Sequence, residues 1–356
     1  MKSNYRYIVK AFMAMAVIAG TTSCDDFLDR EPMSSISPET YYSTAAQLEA
    51  NLNDEYPNVL PSFGQWTYGI FGEDKGTDNQ IEVNANDRYT QDRWKVPHSE
   101  SDNWKFERIY RINFFLSEAL PKFGEDMSGS QNTISGSVAT IKHYIGEMYF
   151  LRAYEYFKKL QLFGDFPIIN QLLADEMEAL REASKRFPRN EVARFIISDL
   201  DKAYAYMSDV DMATTRINKD AAMLVKSRVA LFEATWLQNF KGTAFVPGGE
   251  GWPGASLHNN YQYPSGNLDN EVKYFLEQAV EASKLVADKY KGNLTENTGV
   301  LQQSADDPSN PYFDMFAQED LSDVKEVLLW RQYARGLSTH NINAAAGRGN
   351  YLSLIH

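Results

Sequence analysis

The chain has 356 residues, with 48 acidic against 35 basic side chains, a formal net charge of −13, and 13% aromatic residues. That acidic balance disfavours nucleic acid and anionic lipid headgroups as partners and suits a solvated surface protein. The 21 Tyr and 6 Trp are abundant enough to serve binding surfaces as well as cores, because each combines an apolar ring with a polar handle.

Read in chain order, the first segment is a secretory leader. Lys2, Arg6 and Lys10 precede an apolar run from Ala11 to Gly20, which is too short for the roughly 20 apolar residues of a membrane span. Thr21-Thr22-Ser23-Cys24 follows as a lipobox, and Cys24 is the only cysteine. Residues 1–23 are therefore read as a lipoprotein signal peptide and Cys24 as the lipidated first residue of the mature chain. A free thiol after an ordinary cleaved leader is the alternative, and secreted proteins seldom keep one. Residues 24–42, polar and carrying Pro32 and Pro38, form an extended leash whose Phe27 and Leu28 are expected to dock on the body.

A capping-box pair, Thr44 with Gln47, opens a first helix over 43–55, with Ala45, Leu48, Leu52 and Tyr56 on one face and Pro57 ending it. Residues 61–98 are rich in Gly, Asn and Asp and read as an ordered loop region. Phe106, Ile109, Tyr110, Asn113, Leu116 and Leu120 mark a second helix that stops before Pro121. After a Ser/Gly-rich turn at 128–137, a third helix runs over 138–162. One stripe holds Ile141, Tyr144, Ile145, Met148, Tyr149, Arg152, Tyr156, Phe157 and Leu160, and Gly164 and Pro167 close it. Arg152 in that row reads as a buried structural arginine. Further stripes follow at Val192, Phe195, Ile196, Leu200, Ala203 and Met207; at Ala222, Val225, Val229, Phe232 and Trp236; and at Val272, Phe275, Ala279, Val280 and Val286. Asn218 and Asp269 are the expected N-caps of the last two.

Successive amphipathic helices with Ala153, Ala203, Ala230 and Ala279 at close-approach positions predict a mainly α fold. The expected architecture is a tetratricopeptide-repeat-like α/α superhelix of stacked helix pairs with long loops. The connection 242–267 stands out, because a short turn could have joined its helices. Its Trp252, His258, Tyr261 and Tyr263 point to function rather than disorder.

The segment Cys24-Asp25-Asp26-Phe27-Leu28-Asp29 with Pro32 resembles the mature N-terminus of the SusD/RagB family of outer-membrane nutrient-binding lipoproteins. Three internal stretches agree with it. These are Tyr110 with Ile112 and Asn113; Glu147-Met148-Tyr149-Phe150-Leu151-Arg152-Ala153 leading to Phe163-Gly164-Asp165-Phe166-Pro167; and Lys219-Asp220-Ala221-Ala222 leading to Arg228. The resemblance implies a surface-exposed, non-catalytic glycan-binding protein that lids a TonB-dependent, SusC-like transporter barrel and hands it oligosaccharides. It also implies a SusD-like helical domain over 43–299, and Asp25-Asp26 is similar to the family's surface-export signal. Family members continue well past Tyr351 to His356 with a C-terminal lobe. The expectation is therefore that 300–356 begins a truncated lobe of a fragment, a frame-shifted product or an incomplete gene.

Sugar rings pair flat C–H patches with hydroxyl edges, so a site for them needs aromatic faces and a few polar groups. Trp66, Trp94 and Trp104 with Asp78, Asn79 and Arg88 answer that need in and beside the first loop region; Trp252, Tyr261 and Tyr263 answer it in the second. Each aromatic could instead pack its own loop, Trp104 above all. No zinc, phosphate-loop or nucleophile-elbow motif occurs. A glycoside hydrolase built on Glu73 with Asp74, or on Asp306 with Asp307, and a helical scaffold for a protein or peptide partner remain the alternatives. No cofactor and no metal are expected.

Overall fold

The computed structural model describes residues 41–61, 103–124, 126–208, 212–301, 304 and 306–332, together with the strand segments 80–82 and 351–353. The signal peptide, Cys24, most of the leash and most of the first loop region lie outside the described residues. Eight α-helices are described: α1 (Ala45–Val59), α2 (Glu107–Phe123), α3 (Val138–Phe163), α4 (Met177–Ala183), α5 (Arg189–Tyr206), α6 (Lys219–Asn239), α7 (Leu268–Tyr290) and α8 (Pro311–Ala317). Two three-residue strands, β1 (Gln80–Glu82) and β2 (Tyr351–Ser353), pair antiparallel with Ile81 opposite Leu352. The fold is mainly α.

The expected capping box at Thr44 and Gln47 is present, with each side chain bonded to the other's backbone N–H. Both prolines expected to stop helices instead lie inside them, Pro57 in α1 and Pro121 in α2. Each proline forfeits one i→i−4 hydrogen bond and crowds the carbonyl four residues back. One more turn buries Val59 at 1% exposure and Phe123 at 0%, which outweighs that loss. Tyr110 and Val280, expected on the inner stripes, are 55% and 62% exposed. Asn267, rather than Asp269, caps α7 by accepting from the Asn270 N–H. Asp269 then lies in the first turn, where its charge suits the helix dipole.

The helix α3 is the axis of the molecule. Its expected single stripe is buried, but so are His143, Glu147, Phe150, Leu151, Ala153 and Glu155 on the other faces. A helix buried all round must be surrounded, and α1, α2 and α5 pack against it. From α5 the stack continues to α6 and then α7, each helix packing on the next. Two connections meet at one corner of this stack. The turn after α3, capped by Gly164, pairs Phe166 with Phe187 through two backbone hydrogen bonds of 3.2 and 3.0 Å, which brings it against the start of α5. The connection between α6 and α7 folds back over that same corner. Among the described residues no helix is long and apolar enough to cross a membrane.

Candidate functional site

The connection 242–267 is a packed aromatic loop. A single 3₁₀ turn, Pro253–Ser256, sits inside it and follows Trp252 directly. Trp252 is 5% exposed; its ring stacks on His258 at 6.0 Å between centroids and lies 5.6 Å from Tyr261, which in turn meets Tyr263 edge-on at 5.1 Å. A Cβ built on Gly254 would come within 2.2 Å of the Trp252 ring, so only glycine lets the turn close over the indole. The structure thus brings together three of the residues expected to bind ligand, Trp252, Tyr261 and Tyr263. Tyr261 and Tyr263 are half-buried, and the most exposed ring of the loop is Phe245, at 61%. Sequence reasoning passed over Phe245 because an isolated Phe reads as core; only its packing against Phe240 at 5.5 Å at the exit of α6 reveals a surface ring.

Polar groups from the surrounding turns and helices hold the loop down. The Trp252 Nε1–H donates to Asp165 Oδ2 at 2.7 Å. The His258 Nε2–H donates to the Arg186 carbonyl at 2.7 Å, which fixes its tautomer because a carbonyl can only accept. The Tyr261 hydroxyl receives Asn190 Nδ2–H at 2.9 Å, and Asn190 also donates to Glu271 at 3.0 Å. Arg194 forks onto Glu271 at 2.6 and 2.8 Å, and Ser265 at the loop's end donates its N–H to the same carboxylate. Beneath them Arg189 makes a fully buried fork onto Glu233 and stacks 4.1 Å from the Trp236 ring, whose N–H donates to the Phe245 carbonyl.

Three carboxylates therefore underlie one loop, and their surroundings separate them. Burial pushes Asp165 up, and the Trp252 and Arg189 N–H donors only partly offset it. Burial likewise raises Glu233 against the pull of Arg189. For Glu271 burial also acts upward, but hydrogen bonds from Arg194, Asn190 and Ser265 outweigh it and hold the carboxyl below its ordinary range. Burial raises the Tyr261 and Tyr263 hydroxyls far above the usual phenol range, so both stay neutral donors.

Trp104 is placed apart from this cluster. It packs edge-on against Phe106, Phe163 and Phe166 at 4.8 to 5.7 Å, with the Arg186 guanidinium 4.6 Å from its ring, as a structural role requires. Trp66, Asp78, Asn79, Arg88, Trp94, Glu73 and Asp74 lie outside the described residues. Asp306 and Asp307 sit in a turn in which Asp307 accepts from the Ser304 N–H at 2.8 Å. Arg152 forks onto Asp199 at 2.6 and 2.9 Å and donates to Asn113, so it is a buried structural arginine. Among the described residues no three His, Cys, Asp or Glu side chains are grouped to hold a metal ion.

Comparison with known proteins bears on this arrangement. The family model described as "Starch-binding associating with outer membrane", a SusD-like model, matches residues 26–231, more than half of the chain. SusD-like protein P2 of Formosa agariphila is 25% identical over 253 residues, covering 68% of this chain and 46% of that one. SusD-like protein P25 of the same organism is 25% identical over 234 residues, covering 60% and 41%. A crystal structure of a SusD homolog from Bacteroides thetaiotaomicron is 18% identical, covering 73% of this chain and 43% of that one with a TM-score of 0.44. The chain spans less than half the length of the curated relatives it matches.

Proposed function

The chain belongs to the SusD-like family of starch-binding, outer-membrane-associated proteins, and from that premise we propose that it captures an oligo- or polysaccharide without cleaving it. The observation that carries this reading is the family match over 26–231. The aromatic loop between α6 and α7 supports it, since rings flanked by hydrogen-bonding side chains suit a ligand that is apolar on its faces and polar at its edges. Trp66, Trp94, Asp78 and Arg88 would add a second group of the same chemistry to Tyr261 and Tyr263, whose rings Trp252 backs. In this reading Cys24 carries the lipid, the body is tethered to the outer membrane facing the exterior, and the captured glycan passes to a SusC-like TonB-dependent transporter.

The test is affinity electrophoresis of the purified chain through gels containing starch, plant or host polysaccharides, with product analysis for cleavage. Retention by at least one glycan without hydrolysis is expected, and Tyr263→Ala or Trp94→Ala should weaken it. Hydrolysis would move the reading to a carboxylate-pair glycosidase. Indifference of the folded chain to every glycan would overturn it in favour of a scaffold for a protein or peptide partner.

A further inference from the structure

The Phe163-Gly164-Asp165-Phe166-Pro167 turn lies far from the aromatic loop in sequence, yet one of its side chains touches that loop directly. Asp165 uses its two carboxylate oxygens on two different elements. Oδ1 accepts the Arg189 N–H at 2.8 Å, and Oδ2 accepts the Trp252 Nε1–H at 2.7 Å. The first bond supplies what α5 lacks, because its N-cap is Pro188 and makes no side-chain capping bond. The second is the only hydrogen bond an indole can donate, and it ends on a partly buried carboxylate. Neither adjacent group could accept in their place: Gly164 has no side chain, and the Arg189 guanidinium only donates and is directed at Glu233.

We propose that Asp165 is the positioning residue of the ligand loop, holding Trp252, and through it His258 and Tyr261, in the arrangement that receives the glycan. The proposal rests on the glycan-binding reading of that loop. Trp252 itself is covered and offers no open face, so its place in the site is to set the rings around it rather than to meet the sugar. Asp165 thereby couples the end of α3 and the first turn of α5 to a loop 87 residues further on. A carboxylate is required because both partners are donors. The amide of Asn presents one acceptor and one donor, so Asp165→Asn must lose one bond and set two N–H groups against each other.

The experiment compares wild type, Asp165→Asn, Trp252→Phe and the double variant in the full chain by three readouts. Circular dichroism reports the helices. The indole N–H resonance of Trp252, identified by its loss in Trp252→Phe, together with hydrogen exchange over 242–267, reports the clamp. Gel retention on the glycan that wild type binds reports the site. In Asp165→Asn we expect an unchanged helical spectrum, a shifted indole resonance, loop exchange faster by about tenfold or more, the scale of one lost hydrogen bond to a charged group, and weakened retention. The double variant should add little to either single one, since both remove the same bond. If Asp165→Asn folds poorly, Trp252→Phe breaks the bond from the other side, keeps a ring in place, and is read by the same exchange and retention. Loop exchange or retention as in wild type would overturn the proposal. A wild-type chain that binds no glycan overturns the functional reading instead, and the exchange measurement still decides whether the clamp exists.

Discussion

Asp165 and Glu271 are both carboxylates under the same loop, and they answer protons with opposite sign. Asp165 is raised, so the folded state binds its proton more tightly than the unfolded chain does; its linked contribution to stability is present at low pH and fades as pH rises through the raised value. Glu271 is lowered from 4.5, so the folded state holds its proton less tightly, and its contribution is present above that value and lost as pH falls through the lowered one. Glu271→Gln should therefore destabilise the chain at neutral pH, with the penalty shrinking as pH falls below the ordinary glutamate value of 4.5. Urea unfolding of wild type and variant between neutral and acid pH checks this; a penalty that does not change with pH would refute it. Composition announced many acids, but neither their partners nor their signs, because a carboxylate's neighbours here come from other helices.

At the scale of elements, the approach of α3 to α5 depends on a missing side chain. A Cβ at Gly146 would lie 2.8 Å from the Met207 backbone N and 2.9 Å from the Ala203 carbonyl, and backbone atoms cannot step aside. Gly146→Ala should cost about 1–3 kcal/mol by forcing the two helices apart, even though alanine favours an isolated helix. Chemical denaturation decides the sign, and a stabilised variant would show that the helices slide freely. The helices themselves were legible: α3, α5, α6 and α7 lie where periodicity puts them, and the Thr44 and Asn218 caps are present. The short α4, none of whose residues is buried, left no apolar stripe to find. The ends at Pro57 and Pro121 were misread because proline's local cost competes with burial that only packing supplies.

Across the whole molecule, forked arginine–carboxylate pairs link the helices of the stack. Arg216 binds Glu147 of α3, Arg152 of α3 binds Asp199 of α5, Arg189 of α5 binds Glu233 of α6, and Arg194 of α5 binds Glu271 of α7. Removing one partner of such a pair leaves a buried charge unmatched. Arg152→Met should cost about 3–5 kcal/mol, whereas Arg152→Met with Asp199→Leu should recover much of it, since an apolar pair needs no compensation. Because Arg152 joins α2, α3 and α5 through Asn113 and Asp199, the loss should move one cooperative unfolding transition rather than split it. Equilibrium denaturation followed by far-ultraviolet dichroism and tryptophan fluorescence tests both statements; non-coincident transitions would show that the stack unfolds in parts.

By itself the sequence determined the helical class, most helix positions and the family, along with the prominence of the loop at 242–267. These follow from spacing, capping and composition, which act over a few residues. Only the tertiary structure decided that α3 is surrounded, that Trp252 is covered while Phe245 is exposed, and that Asp165 and Asn190 hold the loop. Those facts depend on groups brought together from distant parts of the chain, where burial and the pairing of buried charges, rather than local preference, set each side chain's place.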